Sequence, residues 1–250
     1  MDSTNSTYLS EREAWNEYMT GEKATDLRAT ANEAFINLRP VAHKILKPEL
    51  LRIVAGMIEK SDPELQGRMY THLRDVLPDT LRLIADLGVI YRPFEFLEPP
   101  SEEPKSRLCF QKAINKMHAH NFWREKQKKS GKKLTSSNHR EMVYVEGISL
   151  GICADPMLHA WNAFTLRGRS AMDFSWYMTS RWAFYRGIAL TGAEQWQIRK
   201  ILGRNHGGVL HRNWFTKEVR QFIVKRSQME IPKRMELTAT RDELLGKKEL

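Results

Sequence analysis

Met142-Val143-Tyr144-Val145-Glu146-Gly147-Ile148-Ser149-Leu150-Gly151-Ile152 is the stretch on which the fold turns. Its β-branched and aromatic content and partial alternation predict a strand over 142–152. Downstream, residues 158–166 and 170–174 read as a hairpin turning at Arg167-Gly168-Arg169. Upstream, Phe110, Ala113, Ile114 and Met117 recur at helical spacing and predict a helix from about Leu108 to Trp123. Between that helix and the strand, residues 124–140 are charged and hold Gly and Ser, the pattern of a solvated loop. A helix set against an antiparallel sheet gives an α+β core, placed at 104–195.

The flanks read as helical. Pro93 to Pro104, ending Pro99-Pro100-Ser101-Glu102-Glu103-Pro104, is the candidate boundary. Before it, residues 1–100 form a helical N-terminal region. Ser10 and Glu13 make a capping box. Leu27, Ala31, Ala34, Phe35 and Leu38 form one stripe. Pro48 stands at a first helical position ahead of Leu50, Leu51, Val54, Met57 and Ile58. Ser61-Asp62-Pro63-Glu64 opens another helix, with Leu65, Met69, Leu73, Val76 and Leu77 inward. Pro78-Asp79 opens the last, with Leu81, Ile84, Ala85 and Leu87 inward and Gly88 closing it. Residues 196–250 form a basic, mainly helical C-terminal segment. Val209 to Val224 is helical in this reading, and Ile198, Ile201 and Leu202 face inward on a helix that ends at Gly203.

Composition narrows the function classes. The chain of 250 residues with 41% hydrophobic content suits one large domain with helical additions. No run of eighteen apolar residues occurs, so no membrane span or membrane partner is expected. The polar start, Met-Asp-Ser-Thr-Asn-Ser-Thr, carries no signal-peptide pattern. Two cysteines, Cys109 and Cys153, make no disulfide framework and fit a reducing, cytoplasmic compartment.

The net charge of +10 is uneven. Residues 1–102 hold 12 Lys/Arg and 17 Asp/Glu; residues 103–250 hold 28 and 13. The second part therefore makes a positive field that attracts phosphate or acidic protein. Lys126, Lys128, Lys129, Lys132 and Lys133 form one candidate arm of a polyanion-binding patch. Arg199, Lys200, Arg204 and Arg212 form the other, with Trp214 and Phe215 interleaved and a donor-rich turn at Arg204-Asn205-His206-Gly207-Gly208.

Three residues carry the chemistry. Cysteine reacts as the thiolate, which a helix N-terminus and a neighbouring imidazolium both favour. Cys109 stands at the head of its helix, just after the Pro-rich stretch. His159 lies on the strand after 142–152 and supplies the imidazole. Asp173, fourteen residues on, faces His159 or sits diagonally from it across the turn, and holds the ring's tautomer and plane. Each residue alone has a plainer use: a small buried thiol, a core histidine, a turn aspartate. Order, spacing and element type together favour a Cys-His-Asp triad. Cys153, at a strand end in Gly151-Ile152-Cys153-Ala154-Asp155-Pro156, is the competing nucleophile but lacks a helix start. His118, His120 and His139 lack a metal-site spacing, because positions i and i+2 of a helix point apart. No metal or other cofactor is expected.

These pieces resemble the transglutaminase-like branch of the papain-type cysteine enzymes over residues 105–190. In that family a cysteine opens a helix, here Cys109 with Phe110 and Ala113. A strand of Tyr-Val-x-Gly type follows, here Tyr144-Val145-Glu146-Gly147. His-Ala-Trp comes next, here His159-Ala160-Trp161, and then an aspartate, here Asp173-Phe174-Ser175-Trp176 with Phe174 in place of a proline. The resemblance implies a papain/transglutaminase-like core and attack by Cys109 on an amide or ester carbonyl of a protein or peptide. His159 would be general base and then general acid, and Asp173 would orient it. The other expectation, of a different class, is a non-catalytic scaffold that binds nucleic acid or an acidic protein through its basic surface.

Overall fold

The computed structural model describes residues 46–60, 76–93, 109–132, 140–150, 156–166, 170–174, 183–203, 208–211 and 214–229. Within them five strands form one mixed sheet: β1 Val89–Pro93, β2 Val143–Leu150, β3 Pro156–Ala163, β4 Ser170–Ala171 and β5 Phe184–Leu190, in the order β3-β2-β5-β1-β4. Five helices accompany it: α1 Pro48–Lys60, α2 Pro78–Leu87, α3 Cys109–Lys129, α4 Gly192–Leu202 and α5 Lys217–Ser227.

The strand at 142–152 is β2, and all eight of its residues are buried. It is an interior strand of the sheet, antiparallel to both β3 and β5. Burial on both sides explains why its alternation is only partial: neither face meets water. One face carries Tyr144, Ile148, Leu150, Ala160, Ile188 and Leu190 and packs under the helices. The other carries Val143, Val145, Trp161, Ala163, Tyr185, Ala189 and Tyr91, a cluster to which no helix among the described residues contributes. Strands alone can enclose such a cluster only by curling. Met172, just after β4, bridges Asn162 of β3 with two hydrogen bonds and brings the two outer strands together.

Gly147 and Gly187 are opposite each other where β2 and β5 cross. A Cβ on Gly147 would run into the Arg186 carbonyl and the Gly187 backbone. A Cβ on Gly187 would lie 2.7 Å from the Trp161 ring. The two glycines let the strands approach and give the indole its space.

Several expectations are revised. The helix begun at Cys109 runs to Lys129, so residues 124–129 are helical rather than loop. Their Lys, Arg, Glu and Gln are good helix formers, and Glu125 pairs with Lys128 one turn on. The expected hairpin is reduced to the one bridge Asn162–Met172, because Ser170 and Ala171 pair with β1 in parallel instead. Val209 and Leu210 are not helical; their N–H groups serve another purpose, and α5 starts only at Lys217. Ile201 and Met57 are exposed, not inward. Gly88 closes α2 with negative φ, and glycine is needed there because a Cβ would meet the Ile84 carbonyl.

Strand β1 lies before the Pro-rich stretch yet sits between β5 and β4. The sheet is therefore built from both sides of the expected boundary. Arg186 of β5 reinforces this: its guanidinium donates to the carbonyls of Leu46, Ile84 and Ala85 and so satisfies the last turn of α2. The expectations for 10–38, for 61–75 and for 242–245 lie outside the described residues.

Candidate active site

Helix α3 is fixed at two points, and this places Cys109. Near its start, Asn162 of β3 donates from Nδ2 to the Ala113 carbonyl at 2.8 Å. Further along, Asn121 donates to the Met142 carbonyl and accepts from the Met142 N–H. Ala113, Ile114 and Met117 bury the intervening face. Cys109 is the first helical residue and is half-buried, with the N–H groups of the first turn about it.

His159 is paired with Gly147 across β2–β3 and shares a face with Trp161. It is 2% exposed and lies beside the paired rings of Trp161 and Tyr185, at 6.4 Å and 6.5 Å between centroids. The Asn162–Met172 bridge sets Asp173 opposite Trp161 and therefore diagonal to His159. The Asp173 carboxylate, fully buried, takes the ring's Nε2 at 2.6 Å and accepts from the Tyr185 hydroxyl at 3.1 Å. The Cys109 thiol lies close enough to act on the charge of the same ring. The structure thus brings Cys109, His159 and Asp173 together. Burial by itself disfavours the imidazolium. The negative charges and hydrogen bonds of Asp173 and Cys109 outweigh it and push the His159 pKa up to about 10.

A second buried layer lies beside the first, and sequence reading assigned it no role. Glu146, fully buried, accepts from the Tyr144 hydroxyl at 2.6 Å, the Val209 N–H at 2.7 Å and the Leu210 N–H at 2.8 Å. Burial raises its pKa to about 7 against these three donors. Tyr144 lies within reach of the charges of both Cys109 and Arg199, and burial raises its own pKa well above the usual phenol value. The signal available in the sequence was an acidic side chain in the middle of an otherwise apolar strand.

Gln111 donates to Asn115 on the exposed side of α3. Of the two basic arms, Lys126, Lys128 and Lys129 end α3 and Lys132 follows it, whereas Arg199 and Lys200 lie on α4. Lys200 lies over the Trp196 ring at 3.7 Å. Lys133, Arg204, Arg212, Cys153 and His139 lie outside the described residues. His118 is half-buried, whereas His120 is engaged with the Arg140 carbonyl. No group of three metal-ligating side chains occurs among the described residues, and no helix there is long and apolar enough to cross a membrane. No family model, curated protein or solved structure matches this chain.

Proposed function

We propose that this chain is a thiol-dependent acyl-transfer enzyme, a hydrolase or acyltransferase of amide or ester bonds, of the transglutaminase-like kind its motifs resemble. The observation that carries the reading is the convergence of the half-buried Cys109 thiol, the His159 ring and the buried Asp173 carboxylate, with the ring held by Asp173 at 2.6 Å.

The roles follow from the geometry. The Cys109 sulfur adds to a substrate carbonyl, and its electron pair moves onto the carbonyl oxygen. N–H groups at the start of α3, that of Cys109 included, face the developing oxyanion. His159, held protonated beside the sulfur, gives its proton to the departing amine or alcohol as the C–N or C–O bond breaks. An acyl-thioester and a neutral imidazole remain. Water or an amine then attacks the thioester, His159 takes its proton, and the thiolate leaves. Asp173 holds the ring through Nε2 in both steps, and Tyr185 holds Asp173.

Alkylation of Cys109 by iodoacetamide at neutral pH tests this. The wild-type protein is expected to react rapidly at Cys109, with the site located by mass spectrometry. His159→Ala is expected to slow the reaction by about tenfold or more. Equal, slow alkylation of both proteins rules the reading out.

The end of α3 supports the other reading to a lesser degree. Phe122 and Trp123 are exposed and stand next to the exposed Lys126 and Lys129. Aromatic and basic groups together suit single-stranded nucleic acid. Binding that weakens steeply with salt and is lost when the lysines at 126, 128, 129 and 132 become Gln supports it; no binding at low salt removes it.

A further inference from the structure

Gln195 of α4 has no exposed surface, and neither atom of its side-chain amide has a hydrogen-bond partner. Arg199 follows one turn later on the same face of the helix. Its Nε is buried without a partner, and no ion pair joins its guanidinium to any described residue. The acidic side chains nearby are committed: Glu194 accepts from the Thr191 N–H in the capping box of α4, and Glu146 holds Tyr144, Val209 and Leu210. Buried amide and guanidinium groups left unpaired are costly, and a ligand that pairs them removes the cost.

The neighbours of this pair lead to the thiol. A Cβ on Gly192, at the head of α4, would lie 4.0 Å from the Met117 side chain of α3. The next α3 residue is His118, which feels the Arg199 charge. Tyr144 feels the charges of both Arg199 and Cys109. His118 is nine positions after Cys109, about 13 Å along the helix axis. That span is the reach of roughly four extended peptide residues at most.

We propose that Arg199 and Gln195, with His118 and Tyr144 beside them, bind a carboxylate of the acyl substrate, so that the thiol acts on acidic peptides. This rests on the acyl-transfer reading of Cys109. The charge count selects the anion. Burial and the Arg199 charge both lower the His118 pKa, so His118 adds no second positive charge beside Arg199 near pH 7. A carboxylate carries one negative charge, whereas a phosphomonoester carries about 1.5 to 2. The guanidinium offers paired N–H donors to the two oxygens, and the Gln195 amide adds another.

Two matched alkylating peptides test this on the full chain: chloroacetyl-Gly-Glu-amide and chloroacetyl-Gly-Gln-amide. Label at Cys109 is read by mass spectrometry. The Glu probe is expected to react about tenfold faster than the Gln probe, the value of one charge-assisted hydrogen bond. Arg199→Gln and Gln195→Glu are expected to bring the ratio to about one; Arg199→Lys, which keeps the charge without the fork, retains part of the preference and keeps the test readable if the others do not fold. A second arm does not need the thiol. Acetyl-Gly-Glu-amide is expected to raise the Tm of the wild type, the Gln analogue not, and Arg199→Gln to abolish the effect. If Cys109 is inert while the Tm arm behaves as stated, the thiol reading fails and the carboxylate site stands. If Cys109 reacts but both probes react alike and no Tm shift occurs, the carboxylate site fails and the thiol reading stands. A preference that survives Arg199→Gln, or a phosphoserine probe that outruns the Glu probe, also overturns the proposal.

Discussion

Asp173 is the residue through which the candidate site is held together. It is fully buried, and its one carboxylate serves both the His159 ring and the Tyr185 hydroxyl. Asp173→Asn removes the stronger of the two charges that keep the imidazole protonated. The His159 titration, followed by its ring C–H signals in NMR, is expected to move from a midpoint near 10 down towards the ordinary value of 6.5. The sign of the stability effect follows. A pKa raised on folding stabilises fully below 6.5 and loses that effect as pH climbs towards 10. The difference in urea midpoint between wild type and Asp173→Asn is therefore expected to shrink across that range; a constant difference contradicts it. Cys109, His159 and Asp173 are legible in sequence because each is a scarce chemical type in a telling local context. Tyr185 is not: a buried tyrosine on a strand looks the same whether its hydroxyl holds a carboxylate or nothing.

The elements were legible where their residues follow one period or one capping rule. Strand β2 and the start of α3 come from pattern, and Thr191 with Glu194 closes a capping box at the head of α4. Thr191→Ala is expected to cost about 1 kcal/mol by urea denaturation. Strand β5 escaped because Arg186 and Gly187 interrupt Phe184-Tyr185-Arg186-Gly187-Ile188-Ala189-Leu190, and both have tertiary reasons. Arg186 reaches three carbonyls around α1 and α2, and Gly187 yields its space to Trp161. Gly187→Ala puts a methyl group 2.7 Å from that indole and 2.8 Å from the Glu146 carbonyl. It is expected to cost about 1–3 kcal/mol and to change the near-ultraviolet circular dichroism of the tryptophans. An unchanged midpoint would show that the backbone opens freely there.

On the scale of the whole molecule, Glu146 ties an interior strand of the sheet to the 208–211 segment, sixty-odd positions away in sequence. Its folded pKa, about 7, exceeds the ordinary 4.5. Its contribution is complete below pH 4.5 and fades as pH rises through 7, by roughly 3 kcal/mol at most. Glu146→Gln is expected to flatten the pH dependence of the urea midpoint over that window while lowering stability at its acid end; an unaltered slope contradicts this. Such long-range ties are invisible to local pattern, and so was the placement of β1. Val89 pairs with Gly187, about a hundred positions later, and Arg186 waits on helices completed long before it. During synthesis, then, the first strand leaves the ribosome with no partner to zip against. The ring of strands cannot close until the chain has grown past Leu190, and for that interval its apolar faces and unpaired edges stay uncovered.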